Sequence, residues 1–262
     1  MCKKQRFFIE LSYHGQHYHG WQYQPNAIAV QEKLDQALSN FFGEKIETLG
    51  CGRTDTGVHA TQFFAHFDIA TEFSEQKQKR FLKSINAMLP YDIAVKHIVK
   101  VHEDAHARFD AIKRSYEYHI HFHKNPFKTH TSWLVPDLLD ITEMNKAAAY
   151  LLEYKDFGAF CKANAANFTN ICDVSRAEWI KEGNAIVFHI TANRFLRNMV
   201  RAIVGTLVDI GKGKHRAQHI RSVIESKSRA HAGASVPACG LFLTEISYPY
   251  IVKPFEEILD NE

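Results

Sequence analysis

The chain has 262 residues, of which 45% are hydrophobic and 23% are charged, as in a soluble globular protein with one large or two smaller domains. No apolar run approaches the roughly 20 residues of a membrane-spanning helix, and the start of the chain lacks the apolar core of a secretory signal. Five scattered cysteines without CxxC spacing indicate free thiols rather than a disulfide or zinc framework. We therefore expect a cytoplasmic protein that does not enter a membrane.

The first part of the chain alternates strand-like and helix-like segments. Hydrophobic periodicity predicts strands at 6–13, 62–67 and 93–101 and helices at 29–42 and 75–88. Gly43 directly follows the first helix, where a left-handed cap residue belongs, and Pro90 ends the second. Two loops rich in glycine, residues 14–25 and 50–57, lie between these elements.

The second part repeats a similar order of elements. We predict strands at 107–123, 170–181, 185–192 and 241–247 and helices at 142–153, 194–210 and 217–225. The repetition on either side of residue 108 predicts an α+β protein with two halves, residues 1–108 and 109–262, joined edge to edge in a mixed sheet. The acidic tail after Pro254 is expected to be loosely ordered.

Positive charge is concentrated in one segment, although the net charge is only +3. Nine Lys and Arg residues but only two acids, Asp209 and Glu225, lie between Arg194 and Arg229. A polyanion is the simplest partner for such a segment. A solvated face with acids nearby in space explains it equally well.

The segment Gly50–Ala60, with the sequence GCGRTDTGVHA, is the most informative loop. Its glycines allow tight turns and a close approach of substrate to the backbone. Arg53 and Asp55 lie two residues apart, and an arginine beside an aspartate keeps the carboxylate ionised and oriented. Covalent catalysis by a carboxylate needs such a setting. The residues alone leave open a structural Arg–Asp pair in a tight turn.

The motif GRTDTGVHA strongly resembles the active-site motif of the TruA family of tRNA pseudouridine synthases. Six further segments resemble family motifs in the same order, at 13–24, 86–95, 106–110, 116–118, 195–207 and 237–243. The chain departs from the family pattern at His14, where the family usually has Asp, and at Ala105, where it often has Phe. We expect the first departure to alter how the early loop meets RNA.

The resemblance implies the pseudouridine synthase fold, with two similar α+β halves that share a mixed, mainly antiparallel sheet and a central basic cleft. It also implies isomerisation of uridine to pseudouridine in the anticodon stem-loop of tRNA, at positions 38 to 40 in tRNA numbering. Family members need no metal and no organic cofactor. They work as homodimers in which tRNA spans both subunits.

Site residues follow from the resemblance position by position. Asp55 corresponds to the catalytic nucleophile, and Arg53 to the arginine that helps to displace the target nucleotide. Tyr116 corresponds to the residue that packs on the target base, and Arg201 to the arginine that pairs with the catalytic carboxylate. Leu241 matches an apolar residue that lines the pocket.

Physical reasoning agrees with these roles. A stacked base must leave its helix before reaction, at a cost of a few kcal/mol, and stacking on an aromatic ring returns about 1–3 kcal/mol. In the predicted helix 194–210, Arg194, Arg197 and Arg201 form one stripe opposite an apolar face that includes Phe195. Arg201 would then reach the active site while Arg194 and Arg197 bind phosphates.

Histidines suggest a competing metal site. His119, His121 and His123 alternate along one strand at a spacing that can bind zinc or copper, and a second loose group lies at residues 14–19. No Cys or carboxylate accompanies them at ligand spacing, so we favour surface or RNA-facing histidines. Four large aromatic residues are expected to lie in the core rather than to stack on bases: Trp21, Phe63, Phe64 and Trp179.

Two other functions compete with the isomerase. The first is a hydrolase or phosphotransferase in which Asp55 attacks phosphorus while the glycine loop binds phosphate. That reaction would need a second nearby acid to hold a metal, and the loop contains none. The second is a noncatalytic RNA-binding protein, which does not explain why Arg53, Asp55, Tyr116 and Arg201 occur together.

Overall fold

A computed structural model describes residues 4–71, 73–162 and 168–251. The chain forms two compact units: Met1–Ile112 with Thr244–Glu262 (unit 1), and Lys113–Leu243 (unit 2). The boundary predicted after residue 108 lies four residues before the one observed after Ile112, and the C-terminal segment groups with unit 1 rather than with the second half. The acidic tail after Pro254 lies outside the described residues.

Unit 1 contains an antiparallel sheet with two helices. Its strands are β1 (Gln5–Tyr13), β2 (Leu49–Gly50), β3 (His59–Ile69) and β4 (Ile93–Val101), and its helices are α1 (Val30–Phe42) and α2 (Glu75–Met88). The strand order is β4-β1-β3, and β2 pairs with β3. Gly43 ends α1 with a φ of +73°, which confirms the predicted left-handed cap.

Aromatic side chains fill the core of unit 1. Phe7, Phe42 and Phe81 each contact Phe73, with ring centroids 5.3–5.5 Å apart. These rings come from one strand, both helices and the segment before α2. Their burial helps to attach both helices to the sheet, above all α2, which buries just one other residue, Ile85.

Unit 2 contains a mixed sheet. Its strands are β5 (Lys113–His121), β6 (Trp133–Leu134), β7 (Val174–Glu182) and β8 (Ala185–Ala192), and its helices are α3 (Ile141–Tyr150), α4 (Met199–Gly211) and α5 (His219–Ser226). β5, β8 and β7 pair in an antiparallel manner, whereas β6 runs parallel to β5. The predicted α+β class and mixed, mainly antiparallel pairing are therefore confirmed. The last strand, β9 (Leu241–Ser247), has the predicted bounds.

The start of α4 differs from the prediction. The helix begins at Met199 rather than at Arg194, because Asn198 adopts a left-handed conformation with a φ of +65°. A residue in that region cannot continue a right-handed helix. The predicted helical stripe of Arg194, Arg197 and Arg201 is therefore wrong: only Arg201 lies on α4.

The start of β5 also differs, at Lys113 rather than at residue 107. Within unit 1, the backbone of residues 105–112 turns instead: Ala105 N–H donates to the His102 carbonyl and Asp110 N–H to the His106 carbonyl. Among the described residues, no helix is both long and apolar enough to cross a lipid bilayer.

Candidate active site

The loop that carries Asp55 connects β2 to β3 in unit 1. Cys51 N–H donates to the Phe64 carbonyl at 2.7 Å where the loop leaves the sheet, and Val58 N–H donates to the Asp55 carbonyl at 3.1 Å where it returns. Gly57 has a φ of +78° in the turn between them. The loop buries Thr54 and leaves Asp55 partly exposed. A carboxylate next to a buried anchor is held in place without being removed from solvent.

Residues 14–21, which we call the opening loop, pack directly against the Asp55 loop. A Cβ atom on Gly15 would lie 2.0 Å from the Val58 carbonyl oxygen, and one on Gly20 would lie 2.2 Å from the Thr54 carbonyl oxygen. Gly20 also has a φ of +88°. No side chain fits at either position, so the two loops approach each other through bare backbone.

Buried aromatic side chains pack against both loops. The Tyr13 hydroxyl and Thr54 Oγ1 share a buried hydrogen bond of 2.9 Å. Trp21 stacks on Phe63 with ring centroids 4.2 Å apart, and a Cβ on Gly50 would lie 2.4 Å from Trp21 Nε1. Trp21, Phe63, Phe64 and Trp179 are all buried, which confirms their predicted core positions.

Two polar contacts fix the opening loop to its surroundings. Gly15 N–H donates to His59 Nδ1 at 3.0 Å, so this nitrogen carries no proton, and the His14 ring lies 4.3 Å from the His59 ring. The Tyr18 hydroxyl donates to Asp92 Oδ1 at 2.5 Å. Burial and this carboxylate raise the pKa of Tyr18, so the hydroxyl keeps its proton. The loop is thereby tied to β3 and to the turn before β4.

Arg53 lies two residues before Asp55 in the same loop; its side chain is exposed, whereas Asp55 is only partly exposed. The sequence did not reveal that Gly15 and Gly20 hold the Asp55 loop. The only signal was glycine within the motif at 13–24, and its packing partner is more than 30 residues away in sequence.

Unit 2 holds Tyr116 near the start of β5, opposite Ile190 of β8. The Tyr116 ring is partly exposed and contacts Phe195 edge to face, with centroids 5.0 Å apart and planes at 85°. Phe195 was predicted to belong to the apolar face of a helix. Since the segment before α4 is not helical, Phe195 instead packs beside Tyr116 and is partly exposed.

Arg201 lies in the first turn of α4 and is fixed by the segment 233–237. Its Nε donates to the Val236 carbonyl at 2.8 Å, and Val236 N–H donates to the Arg201 carbonyl at 3.3 Å. Further along α4, a Cβ on Gly205 would lie 1.9 Å from the Ala234 carbonyl oxygen. Two hydrogen bonds to Val236 therefore hold Arg201, and the neighbouring backbone packs closely against α4 at Gly205.

Leu241 is buried at the beginning of β9. Just before it, the Pro237 carbonyl accepts a hydrogen bond of 2.8 Å from the Tyr118 hydroxyl. Burial raises the pKa of Tyr118, so the hydroxyl remains a donor. Tyr118 belongs to the motif at 116–118, but the sequence did not reveal that its hydroxyl binds the segment preceding Leu241.

Arg194 and Arg197 lie in the non-helical segment between β8 and α4. Arg194 is half-buried, and Arg197 is exposed. The Arg197 carbonyl accepts from Lys162 N–H at 3.0 Å, which brings a third cationic residue to the same segment. A tertiary contact, and not the spacing of a helix, brings these cationic residues to one segment.

The histidines on β5 have separate partners. His121 is buried, and its Nδ1 shares a 2.9 Å hydrogen bond with Ser132 Oγ, whereas His119 Nε2 lies 3.2 Å from Glu117 Oε2. His123 follows the end of β5. Among the residues that the structure describes, no three potential ligands come together as a metal site.

Comparison with known proteins gives one consistent result. A family model described as tRNA pseudouridine synthase matches residues 147–249. The protein named tRNA pseudouridine synthase A from Bacteroides thetaiotaomicron is 47% identical over 248 residues, which cover 94% of this chain and 91% of that protein. The protein of the same name from Bacteroides fragilis is 46% identical over 246 residues, covering 94% and 97%. A third, from Exiguobacterium sibiricum, is 35% identical over 244 residues, covering 93% and 97%.

Proposed function

Because the chain belongs to the tRNA pseudouridine synthase A family, we propose that it isomerises uridine to pseudouridine at positions 38 to 40 of the tRNA anticodon stem-loop, with Asp55 as the nucleophile. Membership makes the chain an isomerase that acts on uridine in tRNA. The proposed working state is a homodimer that binds tRNA across both subunits.

The constrained Asp55 loop is the observation that carries this proposal. Gly15 and Gly20 hold the loop by backbone contact, and the bond between Tyr13 and Thr54 anchors the residue before Asp55. A nucleophile held in a fixed direction avoids much of the entropic cost of reaching the reacting atom.

The chemistry requires a uridine that has left its helix. Extrusion costs a few kcal/mol, and we propose that Tyr116, supported by Phe195, compensates by packing on the base. Asp55 attacks the nucleotide, and the bond between the ribose and the base nitrogen breaks. The uracil turns and rejoins the ribose through carbon 5, and the bond between Asp55 and the nucleotide breaks, which returns the free carboxylate. Carbon 5 then loses its proton, and the freed nitrogen gains one. No atom is gained or lost, so the reaction needs no cofactor.

The remaining residues have supporting roles in this proposal. Arg201 pairs with the catalytic carboxylate and keeps it ionised, and Arg53, whose side chain is exposed, helps to displace the target nucleotide. Leu241 lines the pocket around the base. Arg194 and Arg197 bind phosphates from the segment before α4, which does not require the helical spacing that the structure lacks.

Tritium release tests the proposal directly. With tRNA labelled at carbon 5 of uridine, we expect the unaltered protein to release tritium. Asp55→Ala should lower the rate by about a thousandfold or more, while tRNA binding persists. Asp104→Ala is the matched control, because Asp104 is an exposed aspartate of the same unit; its rate should not change. Mapping pseudouridines in the product should show them at positions 38 to 40.

The same experiment separates the competing functions. Phosphate released in a metal-dependent reaction, without tritium release, would indicate the hydrolase or phosphotransferase. Tight tRNA binding without tritium release by the unaltered protein would indicate a noncatalytic RNA-binding protein. Release by Asp55→Ala at the normal rate would show that Asp55 is not the nucleophile.

A further inference from the structure

The connection between β5 and β6 presents an aromatic ring to solvent. Phe127 is 92% exposed, although burying such a ring contributes about 1.5–3 kcal/mol in a folded protein. It is held there by a rigid turn: Asn125 Oδ1 accepts from Phe127 N–H at 2.9 Å, and the Asn125 carbonyl accepts from Lys128 N–H at 3.1 Å. Pro126 further restricts the backbone. The exposure of Phe127 is therefore built into the turn.

The base of this turn is also fixed. The bond between His121 and Ser132 closes it, Val135 N–H donates to the His121 carbonyl at 2.9 Å, and Thr129 Oγ1 donates to the Pro126 carbonyl at 2.9 Å. A turn whose backbone is already held in one conformation loses little backbone entropy on binding. The turn thus has the properties of a preformed contact rather than of a loose loop.

The residues near Phe127 in sequence carry either a positive charge or no charge. Residues 122–136 contain two lysines, Lys124 and Lys128, and no acid. Within the described part of the chain neither lysine forms a salt bridge. Most other lysines of unit 2 are paired; for example, Lys212 lies 2.6 Å from Asp137 and Lys214 lies 2.7 Å from Asp209. The turn therefore combines unpaired cations with an exposed aromatic ring, which is the composition of a surface that binds unpaired nucleotides.

We propose that the turn Lys124–Lys128 is a second RNA-contacting surface, on which an unpaired base of the substrate stacks on Phe127 while Lys124 and Lys128 bind the adjacent phosphates. This inference rests on the proposed function in that the RNA is taken to be the tRNA substrate. Tyr116 and His121 are five residues apart on β5, about 17 Å at the rise of a strand. About five stacked nucleotides cover that distance, so one RNA molecule can engage Tyr116 and the turn together.

Binding measurements on the full chain test this surface. In the Asp55→Ala background, which removes turnover from the measurement, Phe127→Ala should raise the Kd for tRNA about tenfold, since stacking of one base corresponds to roughly five- to 150-fold. Leu138→Ala is the matched control, because Leu138 is 95% exposed in the same unit but lies outside the turn. Its Kd should stay within twofold of the parent.

Salt dependence distinguishes phosphate contact from a merely structural role. Lys124→Gln combined with Lys128→Gln should lower the slope of log Kd against log salt by about 1.4–1.8, which is 0.7–0.9 per phosphate, and Lys181→Gln, an exposed lysine of β7, is the control. Unchanged Kd and slope in folded protein would overturn the proposal. A change of mass in solution in Phe127→Ala would assign the turn to a protein contact instead. Because these are binding measurements, they can succeed even if Asp55 is not the nucleophile.

Discussion

The loop that carries Asp55 and the helix that carries Arg201 are positioned by different kinds of structure. In unit 1 the Asp55 loop is held by another loop, through glycines whose missing side chains leave room for the backbone. In unit 2 Arg201 lies on α4, of which 11 of 13 residues are buried. A buried helix tolerates local changes because its own hydrogen bonds persist, whereas two irregular loops depend on each other. We therefore expect substitutions between the two loops of unit 1 to lower turnover more than stability. Substitutions in α4 of unit 2 should lower stability more than turnover.

Among the glycine substitutions, Gly20→Ala should have the largest effect on turnover. The added methyl would meet the Thr54 carbonyl in a residue with a φ of +88°, which combines about 1–2 kcal/mol of backbone strain with about 1–3 kcal/mol of overpacking. A shift of about 1 Å at Asp55 lowers turnover by about a hundredfold. Tritium release under saturating tRNA measures this loss.

Gly43→Ala is the control for Gly20→Ala. Gly43 has a similar φ of +73°, but a Cβ there meets nothing within 4 Å. Its variant should lose about 1–2 kcal/mol of stability and keep full turnover. If both variants lost turnover equally, strain in unit 1 as a whole, and not the contact between the two loops, would explain the effect.

Gly205→Ala should act mainly on stability. Gly205 lies in the middle of α4, and its added methyl would lie 1.9 Å from the Ala234 carbonyl oxygen. Such overpacking costs about 1–3 kcal/mol. Denaturant unfolding should show this loss, while turnover per folded molecule falls less than in Gly20→Ala. In Gly211→Ala the methyl meets the flexible Met144 side chain, so the loss should be smaller. A hundredfold loss of turnover in folded Gly205→Ala would contradict the contrast between the units.

The difference between the units also explains what sequence could predict. Local periodicity gave the bounds of α2, β4, β8 and β9 as observed, because burial in those elements follows a regular spacing. It failed at Asn198, whose left-handed conformation interrupts an apolar pattern that reads as one continuous helix. It could not show that Gly20 contacts Thr54, because no local pattern encodes a contact between loops 34 residues apart.

Both units contain the same contact between an asparagine side chain and a strand backbone, which hydrophobic periodicity also did not predict. Asn86 of α2 binds both backbone groups of Val95 in β4, through hydrogen bonds of 2.9 and 2.8 Å. Asn145 of α3 does the same to Trp179 in β7, at 3.0 and 2.7 Å. Each of these strands is outermost in its own unit. A helical asparagine therefore covers the backbone of an edge strand in both units, which supports the repetition inferred from the order of elements.

Asn86→Ala and Asn145→Ala should have the smallest effects on turnover, and similar effects on stability. Each leaves a backbone donor and acceptor of a mostly buried residue without its side-chain partner, at a cost of about 1–3 kcal/mol, and each uncovers an edge strand that can pair with other chains. Because the two sites share no partner, the losses should add in the double variant to within about 0.5 kcal/mol. Denaturant unfolding measures these losses, and light scattering the tendency to aggregate. A large loss in one variant and none in the other would mean that the two asparagines do not stabilise their strands equally, despite the same geometry. The resemblance between the units would then be limited to their order of elements.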